Sequence, residues 1–86
     1  MNLHQSHPAI IARLKRAEGH LRSVITMMNE GKPCLALAQQ LHAVEAAIAN
    51  AKRELIHDHI EHCLEDGQGQ NVKDAVAELK QLTKYL

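Results

Sequence analysis

Aromatic residues are almost absent from this chain of 86 residues, which has no Trp, no Phe and a single Tyr, Tyr85. Its core must therefore be built from Leu, Ile, Val, Ala and Met, side chains that suit the packing of helix on helix. The chain also lacks the rings on which bases usually stack in proteins that bind single-stranded nucleic acid. A core this small is marginal on its own, so metal or oligomerisation is expected to support it.

Membrane, secretory and catalytic signatures are missing as well. No apolar run approaches the roughly 20 residues that a membrane span needs, and no secretory signal opens the chain. The two cysteines are far apart in sequence, which favours reduced thiols and a cytoplasmic location. Neither a Gly-rich phosphate loop nor a nucleophile with a base and an orienting group is evident, so the chain is not expected to be an enzyme.

Charge is balanced overall but unevenly distributed along the chain. Residues 1–53 carry seven Lys or Arg and three acidic residues, whereas residues 54–86 carry three Lys and seven acidic residues. A basic half of this kind either binds a polyanion such as DNA or is ordinary solvated surface. The candidate DNA contacts are Arg13, Lys15, Arg16, His20, Arg22, Lys52 and Arg53.

Three helices and no strands are predicted, so the fold class is all-α. Residues 1–7 are predicted to be a flexible N-terminal arm, and residues 8–86 are predicted to form a single helical domain that senses metal and binds DNA. Gly31 ends the first helix. The second starts at Pro33 and runs to about Leu64, and the third follows a Gly-containing turn, with Asn71 as its cap.

The spacing of two thiols and an imidazole on helix 2 carries the functional prediction. Cys34 and His59 are 25 residues apart, which corresponds to roughly 37 Å along one helix. They cannot bind one ion within one chain, whereas His59 and Cys63 lie one turn apart and can. The predicted packing stripe of the helix contains these three residues together with Leu37, Leu41, Val44, Ile48, Ala51 and Leu55.

An antiparallel pairing of two copies of helix 2 would complete this site. The midpoint between Cys34 and the His59/Cys63 pair falls near Ala47 and Ile48, in an alanine-rich segment that allows close approach. Pairing there predicts a dimeric four-helix bundle with two equivalent Cys34–His59–Cys63 sites between subunits. Such a donor set suits three-coordinate Cu(I), and a fourth ligand would suit Ni(II) or Zn(II).

Several other residues are candidates for further metal ligands or for partners of a ligand. His4 or His7 of the arm could supply a fourth ligand, His57 and His62 are surface or secondary candidates, and Glu78 of helix 3 could hydrogen-bond to a ligand. A structural zinc protein and a thiol-redox module are the rival interpretations.

Four segments resemble the family of copper-sensitive operon repressors and nickel/cobalt repressors (CsoR/RcnR). They are Arg13-Leu-Lys-Arg-Ala-Glu-Gly-His20-Leu, Pro33-Cys34, Gln39-Gln40-Leu-His-Ala-Val44 and Ile56-His-Asp-His59-Ile-Glu-His-Cys63. The resemblance implies an all-helical homodimer, usually paired into a homotetramer, that binds operator DNA without a helix-turn-helix and releases it when the effector binds. It also implies metal ligation by Cys34, His59 and Cys63, and DNA binding by Arg13, Lys15 and Arg16.

Departures from the family pattern bear on the effector. Asn50 stands where some copper-sensing relatives have a DNA-contacting Arg, so the contribution of helix 2 falls to Lys52 and Arg53. Asn2 argues against the formaldehyde-sensing branch and His59 against the persulfide-sensing branch. The expected function is therefore a metal-responsive repressor, with Cu(I) favoured and Ni(II)/Co(II) as the alternative.

Overall fold

A computed structural model of the chain describes residues 7–66 and 72–86, with side chains for residues 7–62 and 72–86. It contains three α-helices, α1 (His7–Asn29), α2 (Cys34–Asp66) and α3 (Val72–Thr83), and no strand within those ranges. The all-α prediction is confirmed. None of these helices combines the length and apolarity needed to cross a membrane.

Helix α1 ends in a glycine cap, as predicted. Gly31 has a φ of 75°, a left-handed conformation that L side chains rarely adopt. Its N–H donates to the carbonyl of Met28, and the N–H of Lys32 donates to that of Met27, both at 3.1 Å. These are the two bonds of a Schellman motif, which reverses the chain into α2.

Helix α2 is one uninterrupted helix of 33 residues. It begins at Cys34, one residue later than predicted. Pro33 precedes it and accepts a hydrogen bond from the N–H of Leu37 at 3.1 Å. The helix ends at Asp66 rather than near Leu64. Asn71 and the turn before it lie outside the described residues, as does the predicted arm apart from His7.

Helices α1 and α2 pack as an antiparallel hairpin along one narrow seam. The buried residues of α1 are Ile10, Ala17 and Val24, spaced seven apart, and α2 contributes Val44 and Ala51 with the same spacing. A spacing of seven residues returns to nearly the same side of a helix. The seam therefore runs straight along both helices.

The predicted packing stripe of α2 divides into two rows, which corrects its interpretation as one seam. Val44 and Ala51 are buried against α1, whereas Leu41, Ile48 and Leu55 are 42%, 45% and 42% exposed. At about 100° per residue the exposed row lies about 40–60° around α2 from the buried row, and α1 covers only the buried row.

A second set of apolar side chains on α1 borders the exposed row of α2. We call the combined surface the apolar face, and its members are Leu14, Leu21, Ile25, Leu41, Ile48 and Leu55. Each of them is at least 39% exposed. The molecule measures 56 × 24 × 13 Å, so it is only about one helix thick. Such a layer leaves these apolar side chains uncovered, an arrangement typical of interaction surfaces.

Gly19 lies on the exposed side of α1, and a Cβ added there would meet no described atom within 4 Å. We expect Gly19→Ala to raise the free energy of unfolding by about 0.5–1 kcal/mol per chain, because Gly is the costlier residue within a helix. Urea denaturation followed by circular dichroism measures this. Destabilisation instead would show that a partner helix packs on Gly19.

Candidate metal centre and basic face

Cys34 is the first residue of α2, and its thiol is free and exposed. Because α2 runs without a break to Asp66, the 25 residues between Cys34 and His59 place them roughly 37 Å apart. Within one chain these two ligands therefore lie near opposite ends of the same helix. The separation expected from the sequence is present in the structure.

His59 lies near the other end of α2 and contacts α3. Its Nε2 is 3.2 Å from Oε1 of Glu78, whose side chain is half exposed. A neutral His59 that donates its Nε2–H to this carboxylate carries the ring lone pair on Nδ1. Glu78 is thus positioned to orient the imidazole in the manner of carboxylates behind metal-bound histidines.

The remaining predicted ligands are only partly visible. Cys63 belongs to α2 one turn after His59, but its side chain and all of His4 lie outside the described residues. His7 is the first residue of α1, and its Nε2 lies 3.9 Å from Oδ2 of Asp58. Among the described side chains, no group of three His, Cys, Asp or Glu residues has the geometry of a metal site.

Asp58 is a buried acidic residue, 7% exposed, that the sequence did not single out. Its Oδ1 lies 3.4 Å from Nδ1 of His62, and the same nitrogen lies 2.9 Å from the backbone carbonyl of Asp58. Together with His7, this cluster ties the start of α1 to the turn of α2 that precedes Cys63. His57, by contrast, is exposed. The only available signal was the His-Asp-His sequence, which does not predict burial.

On the other side of the α1–α2 seam from the apolar face lies a cavity of about 260 Å³, lined by Arg13, Arg16, Ala17, His20, Ala47 and Asn50. Arg13 Nη1 lies 2.6 Å from Oε2 of Glu54. His20 Nε2 lies 2.6 Å from Oε1 of Gln40. The predicted ridge of Arg13, Arg16 and His20 thus forms one wall of a groove between two helices.

The other predicted DNA contacts are spread over the surface, and all are exposed. Arg22 Nη2 lies 3.7 Å from Oε2 of Glu18 in the preceding turn. Arg53 donates from Nη1 to Oδ1 of Asn50 at 2.7 Å, at the edge of the cavity. Lys15 and Lys52 lie outside its lining. The structure therefore groups part of the basic set and separates the rest.

Helix α2 contributes to both candidate surfaces. Leu41, Ile48 and Leu55 lie on one side of its buried row, in angular register with Cys34 and His59. Ala47 and Asn50, which line the cavity, lie on the other side. The candidate ligands and the basic cavity thus belong to opposite faces of a layer about one helix thick.

Known proteins share this fold and about a third of the aligned residues. The model of the family described as metal-sensitive transcriptional repressor matches residues 6–85. The chain is 34% identical over 82 residues to the copper-sensing transcriptional repressor CsoR of Mycobacterium ulcerans (strain Agy99), covering 91% of this chain and 70% of that protein. It is 34% identical over 76 residues to the CsoR of Bacillus subtilis (strain 168), covering 87% and 75%.

A solved structure agrees with these sequence matches. The nickel-responsive transcriptional regulator InrS superposes with a TM-score of 0.83 at 32% identity, covering 100% of this chain and 99% of that one. The family consists of transcriptional repressors rather than enzymes. From the length of the family match and the identity to its copper-sensing relatives, the chain belongs to the metal-sensitive transcriptional repressor family.

Proposed function

We propose that this repressor binds operator DNA without metal and releases it when Cu(I) binds between two subunits. One observation carries the inter-subunit site. Cys34 and His59 lie in angular register on one uninterrupted helix, yet are 25 residues apart. An ion that uses both residues must therefore join two chains.

Pairing of two apolar faces supplies the second chain. In an antiparallel α2–α2′ contact centred near Ala47 and Ile48, each Cys34 would approach His59 and Cys63 of the partner. The exposed row of Leu41, Ile48 and Leu55 runs along this line. A two-fold axis makes every such contact twice, so the dimer would hold two equivalent sites. Pairing of two dimers into a tetramer is the further assembly that the family resemblance implies.

The donor set favours Cu(I). Cys34 of one chain with His59 and Cys63 of another would present two thiolates and one imidazole, a soft set that suits three-coordinate Cu(I). Bound there, the ion would cross-link the ends of two α2 helices. Glu78, 3.2 Å from Nε2 of His59, would hold the ring in a fixed orientation.

The response to metal would travel through α2 because that helix carries both surfaces. A shift in α2–α2′ packing changes the position of Ala47 and Asn50 against Arg13, Arg16 and His20 across the seam. Release of DNA requires that the metal prefer the weakly binding arrangement. A coupling free energy of about 1–3 kcal/mol per site is a usual range, equivalent to about 5–150-fold in affinity.

Metal titration of the operator complex tests the proposal. The protein with reduced thiols is bound to a fluorescent operator fragment, and Cu(I), Ni(II), Co(II) or Zn(II) is added separately while anisotropy is followed. We expect release with Cu(I) at one ion per Cys34–His59–Cys63 site. No release by any of these metals would refute the sensor function. Zn(II) that cannot be removed without unfolding would indicate a structural site, and a metal-independent response to thiol oxidation a redox module.

Ni(II) or Co(II) is the second candidate effector. The similar fold of the nickel-responsive InrS favours it. His7, the first residue of α1, and His4 before it are the N-terminal histidines that could add the further ligand that these metals need. X-ray absorption spectra of the loaded protein distinguish the two cases. Three ligands rich in sulfur indicate Cu(I), and four to six mixed ligands indicate Ni(II) or Co(II).

Removal of the Glu78 carboxylate tests its role behind His59. We expect Glu78→Gln to weaken metal binding about 10–100-fold, because partners of this kind contribute that much elsewhere. The change lies on exposed α3, so operator binding by the metal-free protein should stay the same. Competition with a Cu(I) chelator measures the affinity. Lys80→Gln, on the same helix and also exposed, is the control, and equal effects of the two changes would contradict the role.

A further inference from the structure

The cavity between α1 and α2 is lined by groups that donate hydrogen bonds to anions. Arg13, Arg16 and His20 come from α1, and Asn50 comes from α2. Ala17 and Ala47 contribute only methyl groups, which leaves space between the polar side chains. His20 Nε2 is already paired with Oε1 of Gln40, and Asn50 Oδ1 accepts from Arg53, which leaves the two guanidinium groups and the amide N–H groups of Asn50 as the donors. An anion in the cavity would meet mainly N–H groups.

The two arginines of the cavity differ in whether a carboxylate lies beside them. Arg13 Nη1 lies 2.6 Å from Oε2 of Glu54 in a half-exposed ion pair, which reduces the positive charge that Arg13 presents to the cavity. Arg16 makes no ion pair or side-chain hydrogen bond with any residue in the described part of the chain. Of the two, Arg16 is therefore the guanidinium without a carboxylate partner in the described part of the chain, and it is the better placed to pair with an oxyanion such as a phosphodiester.

The cavity lies where duplex DNA could reach it in a dimer. It lies across the α1–α2 seam from the apolar face, so pairing of two chains through their apolar faces would leave both cavities accessible. Phosphate contacts position a repressor on duplex DNA and account for most of the salt dependence of binding. The cavity would thus present one phosphate pocket per chain, repeated by symmetry.

The family resemblance implies DNA binding by both Arg13 and Arg16. We propose that their roles are unequal: Arg16 is the main ligand of one DNA backbone phosphate at this cavity, and Glu54 keeps Arg13 from competing for it. The proposal rests on the DNA-binding part of the proposed function but not on its metal site. Glu54 of α2 lies next to the cavity, in contact with Arg13, and its negative charge limits the affinity of the cavity for anions. Removing its charge would release Arg13 as a second phosphate ligand.

Salt-dependent operator binding by the full-length, metal-free protein tests this arrangement. We expect Arg16→Gln to weaken binding and to lower the slope of log Kd against log salt by about 0.9 for each cavity in contact with DNA. Lys32→Gln removes the same charge from the exposed turn between α1 and α2 and should leave the slope unchanged. Equal effects of Arg16→Gln and Lys32→Gln would overturn the proposal.

A double-mutant cycle isolates the role of Glu54. Arg13→Gln should cost less affinity than Arg16→Gln while Glu54 is present. Glu54→Gln should tighten binding, and Arg13→Gln in that background should then cost about as much as Arg16→Gln. Circular dichroism confirms that each variant is folded. An Arg13→Gln effect that is independent of Glu54 would refute the assigned role.

The side-chain Nε–H resonance of Arg16 identifies the source of the phosphate. We expect it to shift when operator DNA is added and to stay in place when inorganic phosphate is added at constant ionic strength. A saturable shift with phosphate alone would identify a free anion as the ligand and overturn the DNA assignment. No shift with either would overturn the site itself. If DNA shifts the resonance but no metal releases the DNA, the sensor function fails and the cavity assignment stands.

Discussion

Cys34→Ala is expected to abolish the metal response while the protein still folds and binds its operator. Cys34 is exposed at the first turn of α2 and packs into no core, so its loss should leave stability nearly unchanged. Without that thiol, a Cu(I) ion at His59 and Cys63 would have no ligand from the partner chain. The metal-induced loss of operator affinity, about 5–150-fold for a usual coupling free energy, should disappear.

Anisotropy titrations with and without Cu(I) measure this change, and thermal unfolding reports on the fold. Leu35→Ala is a suitable control, because Leu35 is 71% exposed in the same turn and has no donor atom for a metal. An unfolded Cys34→Ala protein would indicate a structural metal site. A retained metal response would show that the ion is held without the second chain.

Ile48→Glu is expected to dissociate the dimer. Ile48 lies at the proposed crossing point of two α2 helices and is 45% exposed in the single chain. An uncompensated charge buried in such a contact costs about 3–5 kcal/mol, and the two-fold axis places two Glu side chains close together. We expect a monomer in sedimentation experiments, together with loss of both operator binding and metal binding.

Ala46→Glu is the matched control for this variant. Ala46 is exposed and, two residues from Ile48, points to nearly the opposite side of α2. The Ala46→Glu variant adds the same charge as Ile48→Glu but should leave the oligomer intact. Loss of helix signal in Ile48→Glu would show that the hairpin needs its partner in order to fold, as a core this small suggests. An unchanged oligomer would refute the antiparallel pairing through Ile48.

Local signals in the sequence were sufficient to predict the three helices and the distance between the candidate ligands. Gly31 marked the end of α1 because the left-handed conformation of the cap is available mainly to Gly. The absence of Gly and of internal Pro after Pro33 predicted one long α2, which separates Cys34 from His59. Both predictions depend on chain-local energetics, so no tertiary information was needed.

Side-chain partners across the seam could not be predicted in the same way. Periodicity identified an apolar stripe on α2, but it could not assign Val44 to α1 and Ile48 to an uncovered face. The ion pair of Arg13 with Glu54 and the burial of Asp58 depend on the relative register of two helices. Register is set by packing over many residues and leaves no mark at a single position.

The sequence by itself determined that the chain is helical, that Cys34 lies too far along one helix from His59 and Cys63 to share an ion with them within one chain, and that its basic residues are concentrated in the first half. The tertiary structure decided which surfaces these features form. It aligned Cys34 and His59 with an exposed apolar row, set Glu78 beside His59, and placed Arg16 on the wall of an open cavity on the other side. Helix periodicity specifies directions around one axis, whereas the contacts that give those directions a function exist only once two helices have packed.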